Sequence, residues 1–273
     1  MSQLIDLGGV WAFMHDECRP GASNSGIVQD EDGLTVIDAQ LTPALGAQLC
    51  AAVDTFGLPI RRLALTSSHI PFVGGSSAFT LAAVYGTAQV SAHMDQPANL
   101  DSCIALYPDD RDELLAIAES GCRTVTHTVD EAAWLSPTVV AAPMHGELDE
   151  NLIVQVPEAQ VVFAGAMCSF GVVPMAGLGD PAGWADALDT LLQWGEIFVP
   201  GHGPIGGREE VETLQRYLRA CVDAQGDPAK LQNGPWSTWQ GQRYHRVNVD
   251  RAAALAADDP EPPTSVYELF GLA

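Results

Sequence analysis

Apolar residues follow two rhythms along the chain. In the first forty or so positions they fall in short runs, at 10–13 (VWAF), 25–28 (SGIV) and 34–38 (LTVID), separated by turn formers. Short runs of β-branched and aromatic residues bounded in this way read as strands. Asp30-Glu31-Asp32-Gly33 supplies a hairpin turn between the last two. The rhythm then changes. Thr42 is placed to cap a helix that carries Pro43 in its first turn and runs through Leu49 and Val53. Next the spacing predicts a strand over 61–66, a helix over 75–85 and a strand over 88–92. A helix beginning at Asp109 or Asp110 covers 114–118, and strands lie near 124–127 and 139–142. Residues 153–156 and 161–164 read as a hairpin turning at Pro157-Glu158-Ala159-Gln160. Asp180-Pro181 is a strong helix start, and Trp184, Leu188, Leu191 and Leu192 follow at helical spacing on a core-facing stripe. A strand over 197–199 precedes a helix whose first turn carries Glu209 and Glu210, favourable charges at a helix N-terminus.

Hairpins, then strand–helix alternation, then a hairpin and helices again predict an α/β protein with two sheets between helices. No repeat and no linker divides the chain. The expected organisation is one domain over 1–273, with 226–273 a C-terminal extension that packs on it or forms a lid.

Composition narrows the partners. Of 273 residues, 47% are hydrophobic, enough for a sizeable core, and the formal net charge is −23 with a single lysine, Lys230. Nucleic acid and anionic membrane both need a basic stripe, and none is present. The acidity reads as a solvated, self-repelling surface. No apolar run reaches the roughly 18 residues of a membrane span. Residues 1–15 lack a basic region followed by an apolar run, so no secretory signal is expected. Cys18, Cys50, Cys103, Cys122, Cys168 and Cys221 are scattered without a CxxC pair, as befits small buried thiols in a reducing compartment. A cytoplasmic protein acting on a small molecule is the expectation; the tryptophans of the tail leave a homodimer open.

The candidate chemistry sits in Thr66-Ser67-Ser68-His69-Ile70-Pro71-Phe72-Val73-Gly74-Gly75, directly after a predicted strand. Loops at the C-terminal edge of an α/β sheet commonly hold the active site. Yet only His69 here could ligate a metal or move a proton near neutral pH.

Four landmarks together resemble the metallo-β-lactamase superfamily: LTVID at 34–38, TSSHIPFVGG at 66–75, VFAGA at 162–166 and VPGHGP at 199–204. They span roughly residues 5–225. The resemblance implies an αββα four-layer sandwich, two mixed β-sheets flanked by helices. In that family, histidines and carboxylates from several loops hold two zinc ions, which lower the pKa of a bound water and polarise a carbonyl or phosphoryl group. Mapped onto the family pattern, His69 and His202 stand at ligand positions, and His145 in Pro143-Met144-His145-Gly146 stands for a third. Ser67, Pro71, Phe72 and Ala166 occupy positions where the family has ligands. Three of the seven ligand positions keep a donor, and no carboxylate is among them. Two dipositive ions without carboxylates would repel strongly, so a dinuclear site is not expected.

The leading expectation is a metal-independent small-molecule enzyme with no cofactor. His69, His145, His202 and Ser67 are its candidate acid–base groups, and Ser68, Pro71, Phe72 and Cys168 its candidate substrate contacts. Without a metal-bound hydroxide, cyclisation, isomerisation or elimination on a hydrophobic carbonyl compound suits the residues better than hydrolysis. Two alternatives stand beside it. One is a hydrolase of an ester, thioester or lactone with a single zinc or similar ion on His69, His145 and His202. The other is a non-catalytic binding protein. Glu147 and Asp149 could orient His145 or act as acid–base groups, although such carboxylates are ordinarily solvated. His15, His93, His127 and His245 fall outside the family pattern and are expected to be ordinary surface or core histidines.

Overall fold

The computed structural model describes residues 2–16 and 18–273. The strands form two sheets. Strands β1 (Ser2–Asp6), β2 (Val10–His15), β3 (Ser25–Asp30), β4 (Gly33–Ile37), β5 (Ile60–Ala64), β6 (Ala83–Gly86) and β7 (His127–Thr128) pair in chain order in the first. Its first four strands are antiparallel and its last four parallel, β4 belonging to both groups. Strands β8 (Ala133–Trp134), β9 (Val140–Met144), β10 (Asn151–Val156), β11 (Val161–Ser169) and β12 (Ile197–His202) form the second, in the order β12-β11-β10-β9-β8. Only β11 and β12 run parallel there.

Three apolar clusters define four layers. Val28, Ile37 and Ala64 of the first sheet meet Leu152, Phe163 and Val199 of the second between the sheets. The other face of the first sheet, with Val36 and Leu63, packs on α1 (Pro43–Asp54) through Leu49 and Val53. The other face of the second sheet, with Val162 and Phe198, packs on Leu188 and Tyr217 of two later helices. Strands buried on both faces read as near-continuous apolar runs, which is why 161–168 shows no alternation. Gly26 marks a close approach of the sheets: a Cβ there would lie 2.4 Å from the Phe163 ring. The structure therefore has the expected αββα sandwich with two mixed sheets.

Short helices join the parallel strands: α2 (Ile70–Val73), α3 (Ala88–Met94), α4 (Leu100–Leu106), α5 (Arg111–Leu115) and α6 (Ile117–Ser120). The sequence reading of 75–92 is inverted here. The predicted helix over 75–85 is a 3-10 turn followed by β6, and the predicted strand over 88–92 is α3. Short apolar runs do not distinguish the two states. The cap does: the Thr87 side chain accepts from Val90 N at 3.2 Å and starts a helix at Ala88.

Helix α7 (Pro181–Leu191) starts as expected, Asp180 accepting from Ala182 N, and α8 (Arg208–Asp223) follows β12. The tail adds α9 (Tyr244–Ala256) and α10 (Thr264–Leu269), which pack on one another, with α9 against α7 and α8. Among the described residues no helix is long and apolar enough to cross a membrane.

Candidate active site

The segments after β5, β6, β9 and β11, with the last residue of β12, converge on one cavity of about 720 Å³, a size suited to a small organic molecule. Its walls are mostly apolar: Ile70 and Phe72 on α2, Leu106 on α4, Val173 and Trp184 from the second half of the chain, and Phe270 beyond α10. Tyr244 and Phe270 bring the C-terminal extension into this wall.

The polar end is organised by Glu147. This residue lies in the loop joining β9 to β10, is only 8% exposed, and lines the cavity. Its Oε1 is 3.0 Å from His69 Nδ1. Ser67 Oγ donates to Glu147 Oε2 at 3.4 Å and accepts from His69 N at 3.3 Å. Asn151 steadies the loop, its Oδ1 accepting from Leu148 N at 2.9 Å while its Nδ2 donates to Thr66 O at 3.5 Å. With Nδ1–H directed at the carboxylate, His69 keeps Nε2 for a ligand. Burial pulls the His69 pKa down, but the charge of Glu147 and its hydrogen bond outweigh burial, and the net movement is upward from 6.5.

His202 behaves in the opposite way. Its Nδ1 donates to Ala22 O at 3.1 Å, so Nε2 is the acceptor of the neutral ring. Burial lowers its pKa below 6.5, against smaller upward effects of Ala22 and Glu147. The Phe72 ring lies 5.4 Å from the His202 ring, centroid to centroid, and keeps that side of the cavity apolar. Glu147 also acts on Tyr107 and Tyr244, both cavity-lining, whose hydroxyls are pushed up chiefly by burial.

Not every candidate reaches the cavity. His69, His202, Ser68, Pro71 and Phe72 line it. Ser67 is fully buried behind His69 and positions it through Glu147 rather than facing a ligand. His145 is not in the lining: a Cβ at Gly183 would lie 2.8 Å from its Nε2, which places the ring against the start of α7. Cys168 is not in the lining either. It is fully buried in the cluster with Trp184, and burial pushes its thiol far up. Its strand is irregular around Gly165, so the parity expected with Ala166 is not kept: Ala166 lines the cavity while Cys168 packs on the other side with Trp184. Two lining groups stand outside the leading candidates of the sequence. Glu147 resembled a solvated loop carboxylate; only its closeness to His145 in the chain hinted at a role. His93, expected to be ordinary, lines the cavity with Nδ1 2.9 Å from Ser68 Oγ, and burial and the nearby His69 lower its pKa.

Asp38, at the end of β4, is a strut. Its carboxylate accepts from Thr66 N at 2.8 Å and from Thr66 Oγ at 2.7 Å, and burial raises its pKa to about 7 against those two bonds. Gly165, with φ +48°, lets Thr66 in: a Cβ there would lie 2.0 Å from Thr66 Oγ.

A protein-bound zinc needs at least three strong protein ligands. Among the described residues no group of three or more His, Cys, Asp or Glu side chains is placed to hold a metal ion. The Nδ1 bonds of His69 and His202 leave each ring Nε2 as a donor, but His145 is turned away, and Pro71, Phe72 and Ala166 offer the cavity no donor. This donor set does not fit a zinc centre.

No family model matches the sequence. The structure does match solved ones. The metallo-β-lactamase FIM-1 from Pseudomonas aeruginosa, in its mono-zinc form, superposes with a TM-score of 0.62 at 21% identity, over 80% of this chain and 95% of that one. A metallo-β-lactamase from Hirschia baltica gives 0.60 at 20% identity, over 79% and 96%. One from Erythrobacter litoralis gives 0.60 at 18% identity, over 80% and 96%. The chain has the metallo-β-lactamase fold. At these identities the likeness is one of architecture; the chemistry has to be read from the cavity itself.

Proposed function

We propose that the protein is a metal-independent acid–base enzyme acting on a small carbonyl compound. The observation that carries this reading is the pair His69 and His202, which face one largely apolar cavity with pKa values moved in opposite directions. Two titratable groups pushed apart by their surroundings divide the roles of acid and base between them. His202, neutral at physiological pH, takes a proton at Nε2 from a carbon next to the carbonyl. His69, held toward its protonated form by Glu147, gives its Nε2 proton to the carbonyl oxygen. The product of the step is the enol; return of the proton at another carbon isomerises the substrate, and loss of a leaving group from the neighbouring carbon completes an elimination. Ser67 is a positioning residue in this scheme, and Ser68 with His93 contacts the substrate.

Nitrobenzisoxazole is a suitable probe because a base alone opens it: the ring C–H proton is removed, the N–O bond breaks and a coloured phenolate is released. The chelator-treated wild type is expected to open it faster than a His202→Ala variant by about a hundredfold, the lower end of what a positioned base contributes. Equal rates for the two would overturn the reading. So would stoichiometric metal in protein purified without added zinc, together with chelator-sensitive ester hydrolysis, which the single-metal alternative requires.

A further inference from the structure

Among the described residues, no lysine or arginine lines the cavity, although the lining includes the carboxylates of Glu147 and Asp95. The arginines that come near are committed elsewhere. Arg19 pairs with Asp110 through two bonds of 3.0 and 3.2 Å. Arg243 donates to Leu106 O and lies 5.2 Å from the centre of the Tyr244 ring. Arg123 binds the carbonyls of Phe79 and Ala82. An anionic ligand would therefore meet the His69–Glu147 pair at the polar end, where the carboxylate already balances the imidazole, and lose its hydration without an unpaired cationic partner. A net charge of −23 adds a field that opposes its approach. A cationic ligand gains no free carboxylate at depth, because Glu147 is already paired with His69.

We propose that this cavity selects an uncharged, largely apolar molecule with one carbonyl or hydroxyl oxygen, and rejects carboxylates, phosphates and acyl groups carried on anionic carriers. The oxygen sits at the His69 and Tyr244 end, and the hydrocarbon or ring lies against Phe72, Leu106 and Trp184. This deepens the acid–base reading by naming its substrate class and rests on it for the orientation of the oxygen alone. The physical reason for the selectivity is that no unpaired positive charge meets the ligand where it is desolvated: any charge on His69 is balanced by Glu147, and burial holds His93 and His202 toward their neutral forms. Within this class the reaction preceding this one must deliver a neutral ketone, aldehyde, lactone or alcohol already released from its carrier.

Three matched probes test it by equilibrium dialysis against the full chain near neutral pH: benzylacetone, hydrocinnamate and phenylpropylamine. They share a phenyl group and differ in the charge of the other end. Benzylacetone is expected to bind at least about tenfold more tightly than hydrocinnamate and more tightly than the amine. Hydrocinnamate or phenylpropylamine binding as well as benzylacetone overturns the proposal, and so does failure of all three to bind. A Leu106→Arg variant serves as a reversal test: it is expected to gain affinity for hydrocinnamate. If that variant remains folded by circular dichroism and shows no gain, the probes are not selected by charge in this cavity and the proposal is overturned. The readout is binding, so it separates from the catalytic reading. A ketone-over-carboxylate preference in a protein that fails to open nitrobenzisoxazole refutes the acid–base role and leaves the ligand class standing.

Discussion

The His69–Glu147 pair carries the most consequential prediction. Glu147→Gln keeps the side chain's shape and an acceptor oxygen but removes the charge 3.0 Å from His69 Nδ1. Burial then acts on His69 largely alone, so its pKa is expected to fall from above 6.5 to below it. An opposite charge at such a distance is worth about 1 to 3 pH units, or about 1.4 to 4 kcal/mol. The sign for stability follows from linkage. In the wild type the folded value of His69 lies above the unfolded one. Its contribution is therefore fully present below the unfolded pKa of about 6.5 and is lost as pH rises through the raised folded value. Urea unfolding of the two proteins should show a wild-type advantage of about 1 to 4 kcal/mol between about pH 5 and 6.5, closing at higher pH. Proton NMR of the His69 ring follows the titration directly. An unchanged His69 titration, or a stability difference that does not vary with pH, would refute the electrostatic reasoning.

Other substitutions test the frame around the site. Asp38→Ala should cost about 1 to 3 kcal/mol for each of the two Thr66 donors left without a partner. Asp38→Asn should instead remove a pH effect: with a folded pKa of about 7, wild-type Asp38 loses stability as pH rises from about 4 through 7, and the Asn variant should lack that loss in denaturant titrations. Gly165→Ala should destabilise the fold by about 1 to 3 kcal/mol from its left-handed backbone alone, with more from the clash with Thr66, visible as a lowered Tm. Phe72→His combined with Ala166→Asp adds two donors to the cavity that holds His202; the double variant is expected to retain zinc through dialysis, and elemental analysis showing none would mean that the three side chains do not converge.

Much of the architecture was legible because it rests on short-range signals. Asp180-Pro181 starts α7, Thr42-Pro43 starts α1, and Gly33 closes the β3–β4 hairpin. These caps and turns act on neighbours a few residues away. The stretch at 75–92 carries short apolar runs that fit a helix or a strand equally, and the capping role of Thr87 settles it. The tail helices α9 and α10 rest on longer-range contacts. The burial of α9 against α7 and α8, and of α10 against α9, depends on distant partners, Asn248 for example bonding Ala176 N and the Tyr217 hydroxyl.

The site divides along the same line. From the chain alone, the loop after β5 and the His202 turn were recognisable, and His69 and His202 do face one cavity. Which of two neighbours in the β9–β10 loop faces inward was not. Met144 pairs with Asn151, leaving residues 145–150 as a loop outside the strand alternation, so no period assigns its side chains to a face. The fold turns His145 toward Gly183 and buries Glu147 beside His69. Sequence could name the residues capable of proton transfer, because that follows from side-chain chemistry. Only tertiary structure could set their pKa values apart, because burial and the distance to a single carboxylate are properties of the packed molecule.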